Sequence, residues 1–172
     1  MKPFLKKQFV KSNFFTWNNF HEVLKKCPES FIETIDPKGN KHSGRRYIDQ
    51  HTFIISFAKR LWDFSSIKNK IKKDKLFQLN KRHYNWDAHI YGCSKGNERS
   101  FSKHNDAAHN FIVQCEGVCK WIVDGLGEKI LSPGDMIAVP AQCNHECIPL
   151  SKRLSISFPF WDLNTKVIWK KV

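Results

Sequence analysis

Three side chains that could bind one metal ion stand in two separated parts of the sequence. His104 and Asp106 form a His-x-Asp motif, and His145 follows Pro133–Pro140, where a turn, a strand and a proline stop are predicted. In an extended strand, residues i and i+2 point to the same face, so the imidazole and the carboxylate converge. With His145 returning on another strand, the set matches the two histidines and one carboxylate of non-haem Fe(II) oxygenases, which leaves metal positions open for cosubstrate and O₂.

The run His104–Trp121 resembles the JmjC/cupin-like hydroxylases. In that family a His-x-Asp precedes an apolar strand, a Gln, a Gly turn and a basic-Trp strand, matched here by Phe111–Val113, Gln114, Gly117 and Lys120-Trp121. Gly134–Pro140 and His145-Glu146 are similar to the family's second metal-ligand segment. The resemblance implies a double-stranded β-helix, Fe(II), 2-oxoglutarate and O₂, with hydroxylation as the usual outcome. It also carries the metal-ligand roles to the two histidines and the aspartate.

One position departs from this family. Many JmjC hydroxylases bind the far carboxylate of 2-oxoglutarate with a basic residue on the strand after the Gly turn, and Cys119 stands there. Lys120, the neighbouring residue, is expected to point to the opposite face. The usual carboxylate anchor is therefore missing.

A replacement anchor is predicted on the strand that begins at Arg153. Alternation places Arg153, Ser155 and Ser157 on one face of Arg153–Phe158. The Arg-x-Ser pair resembles the cosubstrate motif of the other large branch of 2-oxoglutarate oxygenases, and a guanidinium can fork onto a carboxylate. The alternative is an edge strand with a solvent-facing arginine.

Other residues offer weaker signals. Tyr91 shares a predicted strand face with His89 and is a cofactor-pocket candidate, as is Asn110 from within the motif. Against the oxygenase interpretation, a zinc site could use thiolates, because Cys143, His145 and Cys147 would share a face if extended. Two further soft ligands would then be Cys115 and Cys119.

The elements that must position these residues predict a mainly β (α+β) fold, a double-stranded β-helix core with N-terminal helices. Thr16 is a helix N-cap signal, Phe31–Ile35 alternates as a strand, and Thr52–Leu79 is mostly helical in pattern. After residue 80, β-rich runs are separated by turn signals: Ala88–Tyr91, Phe111–Gln114, Lys120–Val123, Met136–Val139 and Leu154–Phe158. We expect a single domain over 1–172, with helical support over about 1–80 and the barrel core over about 81–162.

Composition and charge restrict the class of protein. Of the 172 residues, 41% are hydrophobic, a proportion typical of globular proteins. No apolar run has the length or position expected of a signal peptide or a membrane span. The six cysteines are expected to be free thiols in a cytoplasmic protein. The formal charge of +13 favours an anionic partner such as nucleic acid, with the basic stretch Lys68–Lys73 as a candidate patch, although scattered lysines also fit a solvated surface.

The predicted function is an Fe(II)- and 2-oxoglutarate-dependent dioxygenase, an iron-binding oxidoreductase that hydroxylates a protein, a nucleic acid or a small molecule. Two alternatives remain. One is a metal-binding cupin with isomerase or other 2-oxoglutarate-independent activity. The other is a non-catalytic cupin-fold binding protein.

Overall fold

The computed structural model describes residues 1–74, 84–96 and 101–162, and within them the backbone is mostly antiparallel β-structure. The elements, in chain order, are β1 Phe4–Lys6, α1 Trp17–Lys26, β2 Ile32–Ile35, β3 Lys41–Ser43, β4 Thr52–Ile55, α2 Ser65–Lys73, β5 Tyr84–Trp86, β6 His89–Cys93, β7 His109–Glu116, β8 Cys119–Val123, β9 Gly127–Leu131, β10 Met136–Val139, β11 His145–Pro149 and β12 Arg153–Asp162. A short 3₁₀ helix, Glu29–Phe31, immediately precedes β2, and a second one, Ala58–Arg60, follows β4.

The strands form a large and a small sheet. The large sheet has the order β1-β10-β7-β12-β6-β4-β2-β3, with β5 pairing the far end of β12, and the small sheet has the order β11-β8-β9. The longest strand, β12, lies in the middle of the large sheet, between β7 and β6. Residues of β12 therefore have neighbours on both sides and are well placed to line a site.

Alternation along β7 and β12 divides the molecule into layers. One face of the large sheet, including Phe111, Ile156 and Phe158, packs with α1 and α2 residues in one core. The other face packs, through Ile112 and Ile137, against Trp121 and the rest of the small sheet in a second core. The predicted mainly β class is thus confirmed as two packed antiparallel sheets, and the double-stranded β-helix stays a prediction.

The turn between β7 and β8 can accept only glycine. Gly117 has φ +71°, and a Cβ there would lie 1.9 Å from the carbonyl oxygen of Lys152. This close approach holds the β7–β8 turn against the residue that precedes Arg153. The Gly turn of the motif thereby fixes where β12 begins.

The N-terminal region differs from the prediction. The helical pattern assigned to Thr52–Leu79 was wrong at its start, because Thr52–Ile55 forms β4 and pairs with both β2 and β6. Its β-branched and aromatic side chains fit a pleated sheet better than a helix, and the helix α2 begins only at Ser65. Residues 75–79 lie outside the described residues. Residues 1–74 thus add four strands to the large sheet, whereas the single-domain assignment stays a prediction.

Among the helices that the structure describes, none has the length and apolar character needed to cross a membrane. All six cysteines are free thiols, as expected.

Candidate metal centre and its cavity

A backbone bridge brings the two candidate histidines together. The amide of His104 donates to the carbonyl of His145 over 3.0 Å, and the amide of His145 donates back over 2.8 Å. Opposite residues of an antiparallel pair direct their side chains to the same face. The two imidazole centroids consequently lie 4.4 Å apart.

Asp106 joins this pair from the same loop as His104. One ligand atom from each of His104, Asp106 and His145 lies within 4.8 Å of the other two, and His145 Nε2 is 3.5 Å from Asp106 Oδ2. The amide of Gln142 donates to the carbonyl of Asp106 over 2.7 Å, which ties the loop to the segment before β11. The separated motifs therefore converge on one point.

Hydrogen bonds select the ring nitrogens that are available to a metal. His104 Nδ1 lies 2.8 Å from the carbonyl oxygen of Ser102, and His145 Nδ1 lies 2.9 Å from that of Cys143. A carbonyl oxygen only accepts, so each Nδ1 carries the proton and each Nε2 presents a lone pair. Burial lowers the pKa of His145, which favours the neutral imidazole that metals bind.

Asn110 and Ser157 hold the carboxylate in place. Asn110 Nδ2 donates to Asp106 Oδ2 over 2.6 Å, and Ser157 Oγ donates to Asn110 Oδ1 over 3.3 Å. The sequence predicts that Asn110 contacts the cosubstrate, and in the structure its amide bonds to the candidate metal ligand Asp106. Asn110 also lines the cavity, so contact with a cosubstrate stays a prediction.

Replacing Asn110 with alanine should weaken metal binding roughly 10- to 100-fold, because partners that orient metal ligands typically contribute this much to affinity. Metal titration by isothermal calorimetry measures the change. Asn105→Ala is the matched control, since Asn105 is exposed, adjoins the same ligands and bonds to the side chain of Asn144 rather than to Asp106. Equal losses in the two variants would contradict the positioning role.

A single cavity of about 1010 Å³ contains the candidate site. Its lining includes the seven residues proposed from the sequence as metal or cofactor ligands: His104, Asp106, His145, Tyr91, Asn110, Arg153 and Ser155. Burial, with a further contribution from the Asp106 carboxylate, raises the pKa of Tyr91, so its hydroxyl stays protonated. His89 lines the cavity as well, whereas His109 accepts a hydrogen bond from the amide of Ala141 and is absent from the lining.

The predicted Arg-x-Ser pair is fully buried on β12. Arg153 and Ser155 are 2% and 0% exposed, so the alternative of a solvent-facing arginine on an edge strand is wrong. Arg153 Nη1 donates to Ser155 Oγ over 3.4 Å, and Ser155 Oγ donates to Gln114 Oε1 over 2.8 Å. Gln114 was not assigned to the site from sequence. Its alternation with Asn110 on β7 is the signal that could have placed it there.

The position of the missing basic residue lies beside this arginine. The thiol of Cys119 is buried, and hydrogen bonding with Cys147, then the charge of Arg153, lowers its pKa to about 7. Burial by itself lowers the pKa of Arg153, but its interactions with Cys147, Cys119 and Cys93 outweigh this effect. The net result is a pKa above the ordinary value, so the guanidinium stays charged. Lys120 pairs with Glu128 at 3.7 Å and is not part of the cavity lining. At this part of the cavity wall, the cation is thus on β12 rather than on β8.

Three thiols, those of Cys93, Cys119 and Cys147, lie around Arg153, but they do not form a group that could hold a metal ion. Cys115 packs in the core beneath the helices, and Cys143 donates to the carbonyl of Asp124, so neither accompanies Cys119. The metal-competent group found in the described residues contains two histidines and an aspartate, without a cysteine. This arrangement disfavours the zinc alternative.

Comparison with known proteins identifies the fold. Neither a family model nor a curated protein matches the sequence. Solved structures of YcfD from Escherichia coli do resemble this chain: an X-ray structure with TM-score 0.73 and 17% identity, and a complex of this ribosomal oxygenase with cobalt and 2-oxoglutarate with TM-score 0.70 and 16% identity. Each covers 95% of this chain, while the chain spans only 50% and 49% of theirs. The similarity supports the cupin/JmjC-like fold, over about half the length of the YcfD structures.

Proposed function

We propose that this chain is an Fe(II)- and 2-oxoglutarate-dependent dioxygenase that hydroxylates its substrate. The observation that carries the proposal is a set of two Nε2 atoms and one carboxylate in the same cavity as a buried arginine. A metal site alone would fit many cupin activities. The nearby cation adds a reason for a dicarboxylate cosubstrate.

The donor set fits iron. His104, Asp106 and His145 would hold Fe(II), the metal for which two histidines and a carboxylate with open positions are diagnostic. When bound, iron would supply the redox chemistry that O₂ requires. The protein would keep both imidazoles neutral and oriented through the carbonyls of Ser102 and Cys143. These two bonds prepare the ligands without using a charged partner.

The cation fits the distal carboxylate of 2-oxoglutarate. An unpaired carboxylate buried in this cavity would cost several kcal/mol, so an opposite charge has to be present. Arg153 supplies the charge, and Ser155 lies beside it, fixed by Gln114. The solved YcfD complex with cobalt and 2-oxoglutarate supports this combination of ligands by analogy of fold. Tyr91, opposite Ser155 on β6, would add a hydroxyl donor.

Measuring 2-oxoglutarate turnover tests this function. Purified protein given Fe(II) and O₂ should consume 2-oxoglutarate and release succinate, slowly if its true substrate is missing. Asp106→Ala is the control and should release none. If the wild type binds the metal but neither binds nor decarboxylates 2-oxoglutarate, a metal-binding cupin with a 2-oxoglutarate-independent activity becomes the better account.

A further inference from the structure

The cavity extends beyond the candidate metal centre over the N-terminal strands. Tyr91 lies opposite Ile54, Ile54 lies opposite Glu33, and Glu33 lies opposite Ser43. Adjacent strands are about 4.8 Å apart, so Glu33 stands roughly 10 Å from Tyr91 along the sheet. We name this part the outer arm, defined by Phe31, Glu33, Lys41, Ser43, Ile54 and Phe57, all of which line the cavity.

Partly exposed aromatic rings line the route between the outer arm and the metal centre. In the outer arm, the ring centroids of Phe31 and Phe57 lie 5.2 Å apart. Phe101 lies 6.3 Å from Tyr91 and 5.6 Å from the imidazole of His104. Flat apolar faces are therefore available both in the outer arm and directly beside a candidate metal ligand.

Each group of rings carries a cation. Lys41 Nζ is 5.7 Å from the centroid of Phe101, and the Arg60 guanidinium is 5.4 Å from that of Phe57. The outer arm also contains the carboxylate of Glu33. Lys41 Nζ lies 3.2 Å from this carboxylate and offsets its negative charge. The combination of apolar ring faces and cations favours a ligand that is both planar and anionic.

The backbone at Phe57 supports a binding role for its ring. Phe57 has φ +57° and ψ +29°, a left-handed conformation that is unfavourable for a residue with a Cβ. Bonds on both sides impose it, since the amide of Ser56 donates to Phe31 and the amide of Ala58 donates to Ala88. Strain of this kind is retained chiefly at functional sites.

From these observations we infer that the outer arm binds a base of a single-stranded nucleic acid, which would be the substrate of the proposed oxygenase. Single-strand binding proteins combine aromatic stacking platforms with cations that follow the phosphates, and Phe57, Phe101 and Lys41 supply both. Glu33 and Ser43 present hydrogen-bonding groups for a base edge. The net charge of +13 favours the same class of partner, and the cavity of about 1010 Å³ is large enough for a ligand beyond the cosubstrate. This inference rests on the proposed function for its chemistry but not for its binding test.

Fluorescence anisotropy with labelled RNA and DNA oligonucleotides of one sequence, without Fe(II) or 2-oxoglutarate, tests the inference. Phe57→Leu and Phe101→Leu should each weaken binding at least roughly fivefold by removing a stacking face, and Phe101→Tyr should retain it. Lys41→Met should reduce the slope of log affinity against log salt by roughly 0.7, as expected for one lost phosphate contact. A duplex of the same sequence should compete poorly, and the two oligonucleotides distinguish RNA from DNA.

Two controls separate the outer arm from general attraction to a basic protein. Tyr47→Leu removes a ring under Arg46 that is not part of the cavity lining, and Lys72→Glu with Lys73→Glu alters the exposed basic face of α2. Both should leave binding at about 0.15 M salt, where exposed charges are screened, within about twofold of the wild type, with thermal unfolding confirming that every variant folds. If the α2 variant loses binding while both phenylalanine variants keep it, the inference is wrong.

A preference for a basic peptide, lost in Glu33→Gln, would overturn the inference in favour of a protein substrate. If the protein binds the oligonucleotides but releases no succinate, the proposed oxygenase chemistry is refuted and the inference about nucleic acid binding stands.

Discussion

Replacing Asp106 with alanine should abolish binding of a divalent metal ion, and His104→Ala should do the same. Each change removes one of three ligand groups, and the carboxylate is the charged member of the set. Purified wild-type protein should hold about one metal ion per chain, whether Fe(II) or Ni(II) or Zn(II) acquired during purification, because raw affinity does not select the native metal. Elemental analysis of the purified variants, followed by calorimetric titration, measures the loss.

The cysteine variants are the matched controls for this prediction. Cys143→Ser and Cys147→Ser leave the three ligand groups intact and should retain the metal ion. Retention in both Asp106→Ala and His104→Ala, with loss in the cysteine variants, would instead indicate a thiolate zinc site. Asp106→Asn keeps the shape of the side chain and a bond to Asn110 is still possible, so it separates loss of charge from loss of packing.

Strand alternation made much of the site predictable. Arg153, Ser155 and Ser157 share a face in the sequence pattern, and all three line the cavity, because β12 is a continuous strand without a solvent edge. The bridge between His104 and His145 could not be derived in this way. It is a contact between distant segments, and the motif order alone indicated that they meet.

Local signals failed where partners are distant in sequence. β1 is three residues long, follows Pro3 and ends in a lysine, and its strand character comes from pairing with β10. In the same way, β4 is stabilised by β2 and β6, so a weak helical period in the sequence was overridden. The outer arm is built from β2, β3, β4 and two adjoining residues, Phe31 before β2 and Phe57 after β4. Sequence patterning therefore located the candidate metal centre but not the wider part of its cavity.

Arg153→Ala should weaken the apparent affinity for 2-oxoglutarate by about 1.5–3 kcal/mol, roughly 10- to 150-fold, while the metal ion stays bound. The physical reason is the loss of a charged hydrogen bond to the distal carboxylate in a site that excludes water. Titrating 2-oxoglutarate in the succinate assay gives the change, and metal content measured on the same sample checks that the metal centre is intact. Ser155→Ala should cost less, because it removes a neutral hydroxyl. Unchanged turnover in Arg153→Ala would mean that the anchor lies elsewhere.

A second variant distinguishes loss of the anchor from damage to the buried wall. Cys119 lies beside Arg153 on the facing sheet, at the position that corresponds to the basic residue of many JmjC hydroxylases. Introducing Cys119→Lys into Arg153→Ala would therefore supply a cation to the same region from β8. If charge is what the carboxylate needs, the double variant should recover part of the lost affinity, whereas Cys119→Met in the same background should recover none. No difference between the lysine and methionine variants would indicate that Arg153 acts through packing and not through its charge.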